Sequence, residues 1–390
     1  MEKSDILYDA IIIGGGPAGS TAAYILSKQG FRVLLADRKT FPRPKLCAGL
    51  ITRKTTGIIE DIYGENVNDL KAQGIICHQT RDWAIHSRYR ELARGRLDIP
   101  FSYVNRTMYD NFFLKKAKKA GTHVIEGERV VSVDIVKTCV KTEKGRIFSG
   151  RFIIGAEGAA SMTRNVLAQS SLITENSRKG LAVAVEIAID RHPPHYFPGH
   201  PLLYFGYIPW GYAWSFPSGD KQVIGMGGLI HKNDCDIKAR FYTFLNSLPY
   251  VKDPKKIQIK GHLLPYGNFL RQPGFKNILL AGDACGFADP LLGEGIYYAH
   301  KSGQLAARSI IESLKSPEQA ISVYKKSLKK PVYIELEHAK RCRWLLFSFL
   351  HHFDYRPFGV SMKIITKRIE ETIQGLRSFR GMKKIEVWRT

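Results

Sequence analysis

Continuous apolar runs, rather than alternating ones, open the chain. "LYDAIII" (7–13) and "FRVLLAD" (31–37) are apolar almost throughout, as expected of strands covered on both faces in a parallel sheet. Between them, "GGGPAGSTAAYILSKQG" (14–30) reads as a tight turn and a helix rich in small residues, so the three segments predict one βαβ unit. "MYDNFFLKKAKKAG" (108–121) predicts an amphipathic helix. Alternation takes over in "GERVVSVDIVKTCVKTEKGRIFSGRFIIGAEG" (127–158). It predicts paired strands with a turn at Lys144-Gly145, then a buried strand entering a Gly-rich loop. Residues 60–103 read as an insertion of short strands and loops. Residues 176–271, rich in aromatics, Gly and Pro, read as a second sheet. "NILLAGDACGFADPLLGEGI" (277–296) returns to strand, loop and helix, and the tail beyond 334 reads as helical and basic. No internal repeat appears.

Composition narrows the class. Of 390 residues, 44% are hydrophobic and 24% charged, which supports folded domains rather than disorder. No apolar run approaches the roughly 20 residues that span a bilayer. The polar start "MEKSD" is not expected to be an export signal. Cys47, Cys77, Cys139, Cys235, Cys285 and Cys342 show no CxxC or Cys/His metal spacing, so reduced cytoplasmic thiols and no metal site are expected. The 59 basic residues against 35 acidic, a formal +24, favour anionic partners. No nucleic-acid-binding motif is present, and nucleic acid is not expected as a partner. His78, His86 and His262 have no supporting spacing.

Gly14-Gly15-Gly16-Pro17-Ala18-Gly19 fits G-x-G-x-x-G between a predicted strand and a predicted helix. Asp37 closes the next strand 23 positions after Gly14. In that context the glycines bring a pyrophosphate against the helix N-terminus, where free N–H groups and the helix dipole favour an anion. Asp37 would accept from the adenosine ribose. The fingerprint alone does not separate NAD from FAD.

Later motifs do. "GAEGAASMTR" (155–164) and "GDACGFADPLLGEGI" (282–296) resemble the second and third FAD motifs of the p-hydroxybenzoate-hydroxylase-like flavoproteins. "PRPKLCAGL" (42–50) resembles the P-x-x-x-x-C-G-G motif of the geranylgeranyl reductases within that group, and "YAWSFP" (212–217) resembles their Y-x-W-x-F-P signature. "NRTMYD", with Arg106 and Asp110, resembles their flavin-contacting arginine segment. The resemblance covers about residues 7–330. It implies that Gly14, Gly16, Pro17, Ala18, Gly19, Asp37, Arg38, Ala48, Gly49, Arg106, Gly158, Asp283, Gly293, Gly295 and Ile296 serve FAD. It places Cys47, Tyr212, Trp214 and Phe216 at the catalytic site. Three positions depart from the family pattern. Ala48 replaces a glycine, Glu157 stands where the hydroxylases usually have Asp, and Ser218 follows Pro217 where a basic residue is common. An alanine at a position needing positive φ would alter the loop.

The fold class so implied is α/β: a Rossmann-like FAD domain of discontinuous segments (1–60, 104–175, 272–333), a mainly β substrate domain (61–103, 176–271) and a C-terminal helical extension (334–390). The implied activity is FAD-dependent reduction of isoprenoid double bonds on a lipid, a diphosphate, or a prenylated pigment or quinone. A tertiary cation-like state formed by protonation would be quenched by flavin hydride. Tyr212, Trp214 and Phe216 alternate and share one strand face, either as a prenyl tunnel whose rings tolerate developing positive charge or as a plain aromatic core face. Cys47, flanked by Arg43 and Lys45, reads as a proton donor beside the flavin, its thiol pKa lowered by those cations, as a polar orienter, or as a packing residue. Cys285 is expected to pack. An FAD monooxygenase or halogenase of the same fold, or a flavoprotein that binds prenyl lipid without turnover, are the competing readings. No second dinucleotide fingerprint appears, so NAD(P)H would visit transiently or an acidic ferredoxin-like protein would donate. Residues 341–390 carry 11 Lys or Arg against 4 Asp or Glu around apolar clusters. They predict peripheral contact with an anionic inner membrane face, or else a core cap with solvated charges.

Overall fold

The computed structural model describes residues 3–88, 90–174, 180–352, 367–381 and 383. The chain divides into two compact units. The first comprises 1–44, 107–177 and 267–337, and the second 45–106, 178–266 and 338–390.

In the first unit a parallel sheet runs in the order Ile278–Leu280, Ile147–Gly155, β1 (Lys3–Ile13), β2 (Val33–Asp37) and His123–Glu126. Register is set by the apolar runs: Ala10 to Ile13 pair with Val33 to Ala36 on one side and Phe152 to Gly155 on the other. Residues 33 to 37 of β2 are all buried, as their unbroken apolar character predicts. The helix α1 (Pro17–Lys28) connects β1 to β2. The alternating segment forms the antiparallel ribbon Val130–Asp134, Cys139–Thr142 and Ile147–Gly155. Gly145 turns the chain at φ +82°, and its N–H donates to the Thr142 carbonyl at 2.9 Å.

The second unit is built on an eight-stranded sheet. Its order is Lys260–Pro265, Leu181–Asp190, Lys221–Leu229, Gly211–Ser218, Leu202–Phe205, Ile76–Ser87, Arg90–Val104, Leu50–Ile51. All neighbours are antiparallel except Leu202–Phe205 with Ile76–Ser87. One face packs on the helix Ile237–Asn246, with Ala213, Ile224, Met226, Phe241 and Phe244 fully buried between them.

Two segments differ from the sequence expectation. Residues 60–103 hold a long two-stranded ribbon, Ile76–Ser87 with Arg90–Val104, rather than short strands in loops. The arginines that interrupt the pattern, Arg90, Arg94 and Arg96, sit on exposed or partly exposed strand positions. Residues 45–60 and 338–390, assigned from the sequence to the FAD domain and to a separate extension, cluster with the second unit. Of the expected helical tail, Glu335–His352 and 367–373 are helical, and 353–366, 382 and 384–390 lie outside the described residues. Glu370 in that stretch accepts from Trp83 Nε1 at 2.7 Å, and Gln374 accepts from the Arg53 N–H at 2.8 Å.

Candidate functional site

The nucleotide end of the first unit is shaped by missing side chains. Gly14 leaves β1 at φ +106°, and a Cβ there would collide with the Ala156 carbonyl oxygen. A Cβ on Gly19 would strike the Gly14 carbonyl, so α1 starts directly against the turn. The helix begins with Gly16 as N-cap and Pro17 at its first position, with no capping side chain and no acidic residue in its first turn. Its first N–H groups therefore present a local positive potential. Asp37 is buried. Its Oδ2 accepts from the Gly15 N–H at 2.7 Å and its Oδ1 from Lys39 N–H at 2.8 Å, fixing the turn to the end of β2. Sequence reasoning weighed Arg43 only as a neighbour of Cys47. Its guanidinium lies 3.3 Å from the buried Asp110 carboxylate, stacks 4.6 Å over Phe41, and is the nearest group to the open side of Gly16. A cation soon after a strand that ends in the acidic residue was the available signal. Arg38 is exposed.

A second uncapped N-terminus lies in the same unit. The helix Ile296–Glu312 starts at Gly295, again without a capping side chain or an acid in its first turn. Gly293 turns at φ +72° and Gly282 at φ +62°. A Cβ at Gly303 would hit the Ala18 carbonyl, so this helix and α1 cross with backbones in contact. Asp283 lies in the 3-10 turn Gly282–Cys285, and a Cβ built on Gly295 would approach its Oδ1 to 3.4 Å. Glu157 accepts from Ser161 Oγ at 2.8 Å and from the Thr163 N–H at 2.9 Å, tying down the start of the helix Met162–Gln169. Gly158 turns at φ +87°. Cys285 is fully buried, its thiol donating to the Leu280 carbonyl at 3.0 Å, and burial pushes its pKa up. It packs, as expected.

The other sequence-predicted residues fall in the second unit. The Gly49 N–H donates to Cys47 Sγ at 3.4 Å, its carbonyl accepts from the Val104 N–H at 2.9 Å, and a Cβ would collide with the Val104 carbonyl. The positive φ of this loop, +75°, belongs to Gly49, not Ala48. The alanine that departs from the family motif therefore meets no backbone strain. Arg106, at the start of the helix Arg106–Lys119, is buried.

Tyr212, Trp214 and Phe216 alternate with Ala213, Ser215 and Pro217 along Gly211–Ser218. The first three are half-buried and the second three buried. The aromatic face is thus the one turned away from the helix Ile237–Asn246. Phe205, Phe347 and Leu350 pack at its Tyr212 end, and Tyr103 meets Phe216 edge-on at 6.3 Å. A buried carboxyl that sequence reasoning missed also projects on this face. Glu186 lies across Gly225 from Trp214 on three adjacent strands. It is 3% exposed, and neither its carboxyl oxygens nor Trp214 Nε1 makes a well-formed hydrogen bond. Burial pushes its pKa up to about 7, only partly offset by the indole N–H and by Arg106.

These features fit a flavin nucleotide: glycines where side chains would fill the cradle, two uncapped helix N-termini and a buried acid at the end of β2. Residues 7–211 match the FAD binding domain family. The chain belongs to that family and is an FAD-dependent oxidoreductase. It is 32% identical over 312 residues to an uncharacterised protein of Methanosarcina barkeri, covering 79% of this chain and 76% of that one. It is 30% identical over 328 residues to a geranylgeranyl diphosphate reductase of Rhodobacter capsulatus, covering 80% of this chain and 77% of that one. The crystal structure of a geranylgeranyl bacteriochlorophyll reductase-like protein from Thermoplasma acidophilum superposes with a TM-score of 0.72 at 20% identity, covering 96% of this chain and 92% of that one. Within the p-hydroxybenzoate-hydroxylase-like flavoproteins, the chain is a member of the geranylgeranyl reductase family.

Proposed function

We propose that this protein reduces isolated double bonds of a geranylgeranyl or related polyprenyl chain, carried on a lipid, a diphosphate, or a prenylated pigment or quinone. The observation that carries this reading is the half-buried aromatic face of Tyr212, Trp214 and Phe216, set opposite the packed core face of the same strand. An electron-rich alkene without a neighbouring carbonyl resists direct hydride addition, so its reduction needs a proton, an apolar surface and π faces that tolerate cation character. Reduced FAD, when bound, supplies the hydride. Gly14, Gly16, Pro17, Ala18, Gly19 and Arg43 would receive the pyrophosphate, and Asp37 the adenosine ribose. By resemblance to the family motifs, Asp283 would contact the ribityl chain or a nearby phosphate, Gly293, Gly295 and Ile296 would lie by the flavin pyrimidine, and Gly158 would serve FAD. Cys47, held by the Gly49 N–H, would orient the reacting segment. Trp214→Ala is expected to keep full FAD content and to lower turnover of a geranylgeranyl lipid at least tenfold. Unchanged turnover in a FAD-replete variant would overturn the role of the face.

External electrons would come from NAD(P)H or an acidic ferredoxin-like protein, as a basic chain without a second nucleotide fingerprint suggests. The same reading places the protein in the cytoplasm, at the inner face of an anionic membrane. Trp344 and Leu345, each 60% exposed on the helix Glu335–His352, lie close in sequence to exposed Lys340 and Arg341. Exposed aromatics beside cations suit a lipid interface.

A further inference from the structure

We propose that the Glu186 carboxyl is the proton source for the alkene reduction; this rests on the prenyl-reductase reading above. A row of residues at one register crosses the sheet: Lys260, Glu186, Gly225, Trp214, Leu203 and Ile85. Directly paired residues project to the same side of a sheet, so Glu186 shares the face of the aromatic signature. Its neighbours across the row towards the signature, Gly225, Trp214, Leu203 and Ile85, are apolar.

Gly225 makes this neighbourhood possible. A Cβ there would collide with the Trp214 ring and come 2.8 Å from Glu186 Cγ. The Trp214 indole therefore fills the space that a side chain on Gly225 would take, with Glu186 Cγ against the same space. Both carboxyl oxygens and the indole nitrogen are buried without a well-formed partner. Such a group costs free energy wherever it serves only packing. A proton donor is a role that requires it, since a buried carboxyl stays protonated until it meets an acceptor.

The charged groups around it are few. Arg106 acts on it electrostatically. Lys260, exposed, pairs with it on the outer strand, and His262 is one position further along the same face, opposite Ala184. The Trp214 indole N–H and Arg106 favour the carboxylate, and burial outweighs them.

The step balances as follows. The carboxyl O–H bond breaks and its proton forms a new C–H bond at the less substituted alkene carbon, using the π electron pair. The hydride carried by the reduced FAD forms the second C–H bond at the more substituted carbon. The alkene gains two electrons and two hydrogens, and the FAD is oxidised by two electrons. Glu186, left as a carboxylate, recovers its proton from water.

The test compares wild type with Glu186→Gln and Glu186→Asp, each loaded with FAD, reduced with dithionite and mixed anaerobically with a geranylgeranyl lipid. Glu186→Gln is expected to keep its FAD and lose at least about 100-fold in single-turnover rate, the scale of general-acid catalysis. Glu186→Asp is expected to recover a substantial part of that loss. An infrared pH titration is the second readout. Wild type should show a carboxylic-acid C=O band that disappears as pH rises through about 7, and Glu186→Gln should lack it. A Glu186→Gln rate within threefold of wild type overturns the proposal and leaves the prenyl-reductase reading standing. So does a wild-type infrared spectrum identical to that of the variant. A wild type that reduces no prenyl lipid overturns the reading on which both rest.

Discussion

Glu186 hides at the scale of single residues. In "LAVAVEIAID" it looks like an outward-facing polar position on an amphipathic strand. Its burial depends on Gly225 and Trp214 arriving at its register from two other strands, which no local pattern reports. Its raised pKa carries a stability consequence. Folding favours the protonated form, so the contribution is fully present below the unfolded value near 4.5, and is lost as pH rises through about 7. The shift corresponds to at most about 3 kcal/mol. The thermal midpoint of wild type should therefore fall between roughly pH 5 and 8, and Glu186→Gln should fall less steeply. Parallel slopes would show that other groups set the dependence. Asp37, by contrast, was legible from its spacing after Gly14, although its two backbone contacts were not. Asp37→Ala should weaken FAD retention at least tenfold while the fold persists by circular dichroism. Equal retention would remove Asp37 from the nucleotide site. Cys47→Ser is expected to keep FAD and cut turnover at least tenfold, and unchanged turnover would make the thiol a packing residue.

Elements with strong local signals are the ones the sequence exposes. β1, α1 and β2 could be read because their strands are apolar throughout and the glycines between them mark the turn. The second sheet could be anticipated as a sheet, but its strand order could not, because it pairs residues as far apart as Ile85 and Leu203. The face of Gly211–Ser218 that carries the aromatics could not be set against its partner helix until Ile237–Asn246 was seen on the Ala213 side. The helix Glu335–His352 carries the apolar cluster of the tail. Phe347 and Leu350 are buried in the second unit, while Trp344 and Leu345 face outward. Replacing Trp344 and Leu345 together with Ser should leave FAD content unchanged and abolish co-sedimentation with anionic vesicles at low salt. Sedimentation that persists would move any membrane contact elsewhere.

For the molecule as a whole, the +24 formal charge sets a preference for anions without choosing one. Among the described residues no helix is long and apolar enough to cross a membrane, and no cluster of His, Cys, Asp or Glu is suited to a metal ion. The central claim is that this oxidoreductase passes its electrons to a prenyl double bond rather than to oxygen. The most direct test is to reduce the FAD-loaded protein with dithionite under strict exclusion of air and add a geranylgeranyl lipid. Flavin absorbance and product mass are then followed together. The account predicts that the flavin reoxidises as the lipid gains two hydrogens per double bond. A flavin that stays reduced until oxygen enters, with an unchanged lipid, would contradict it.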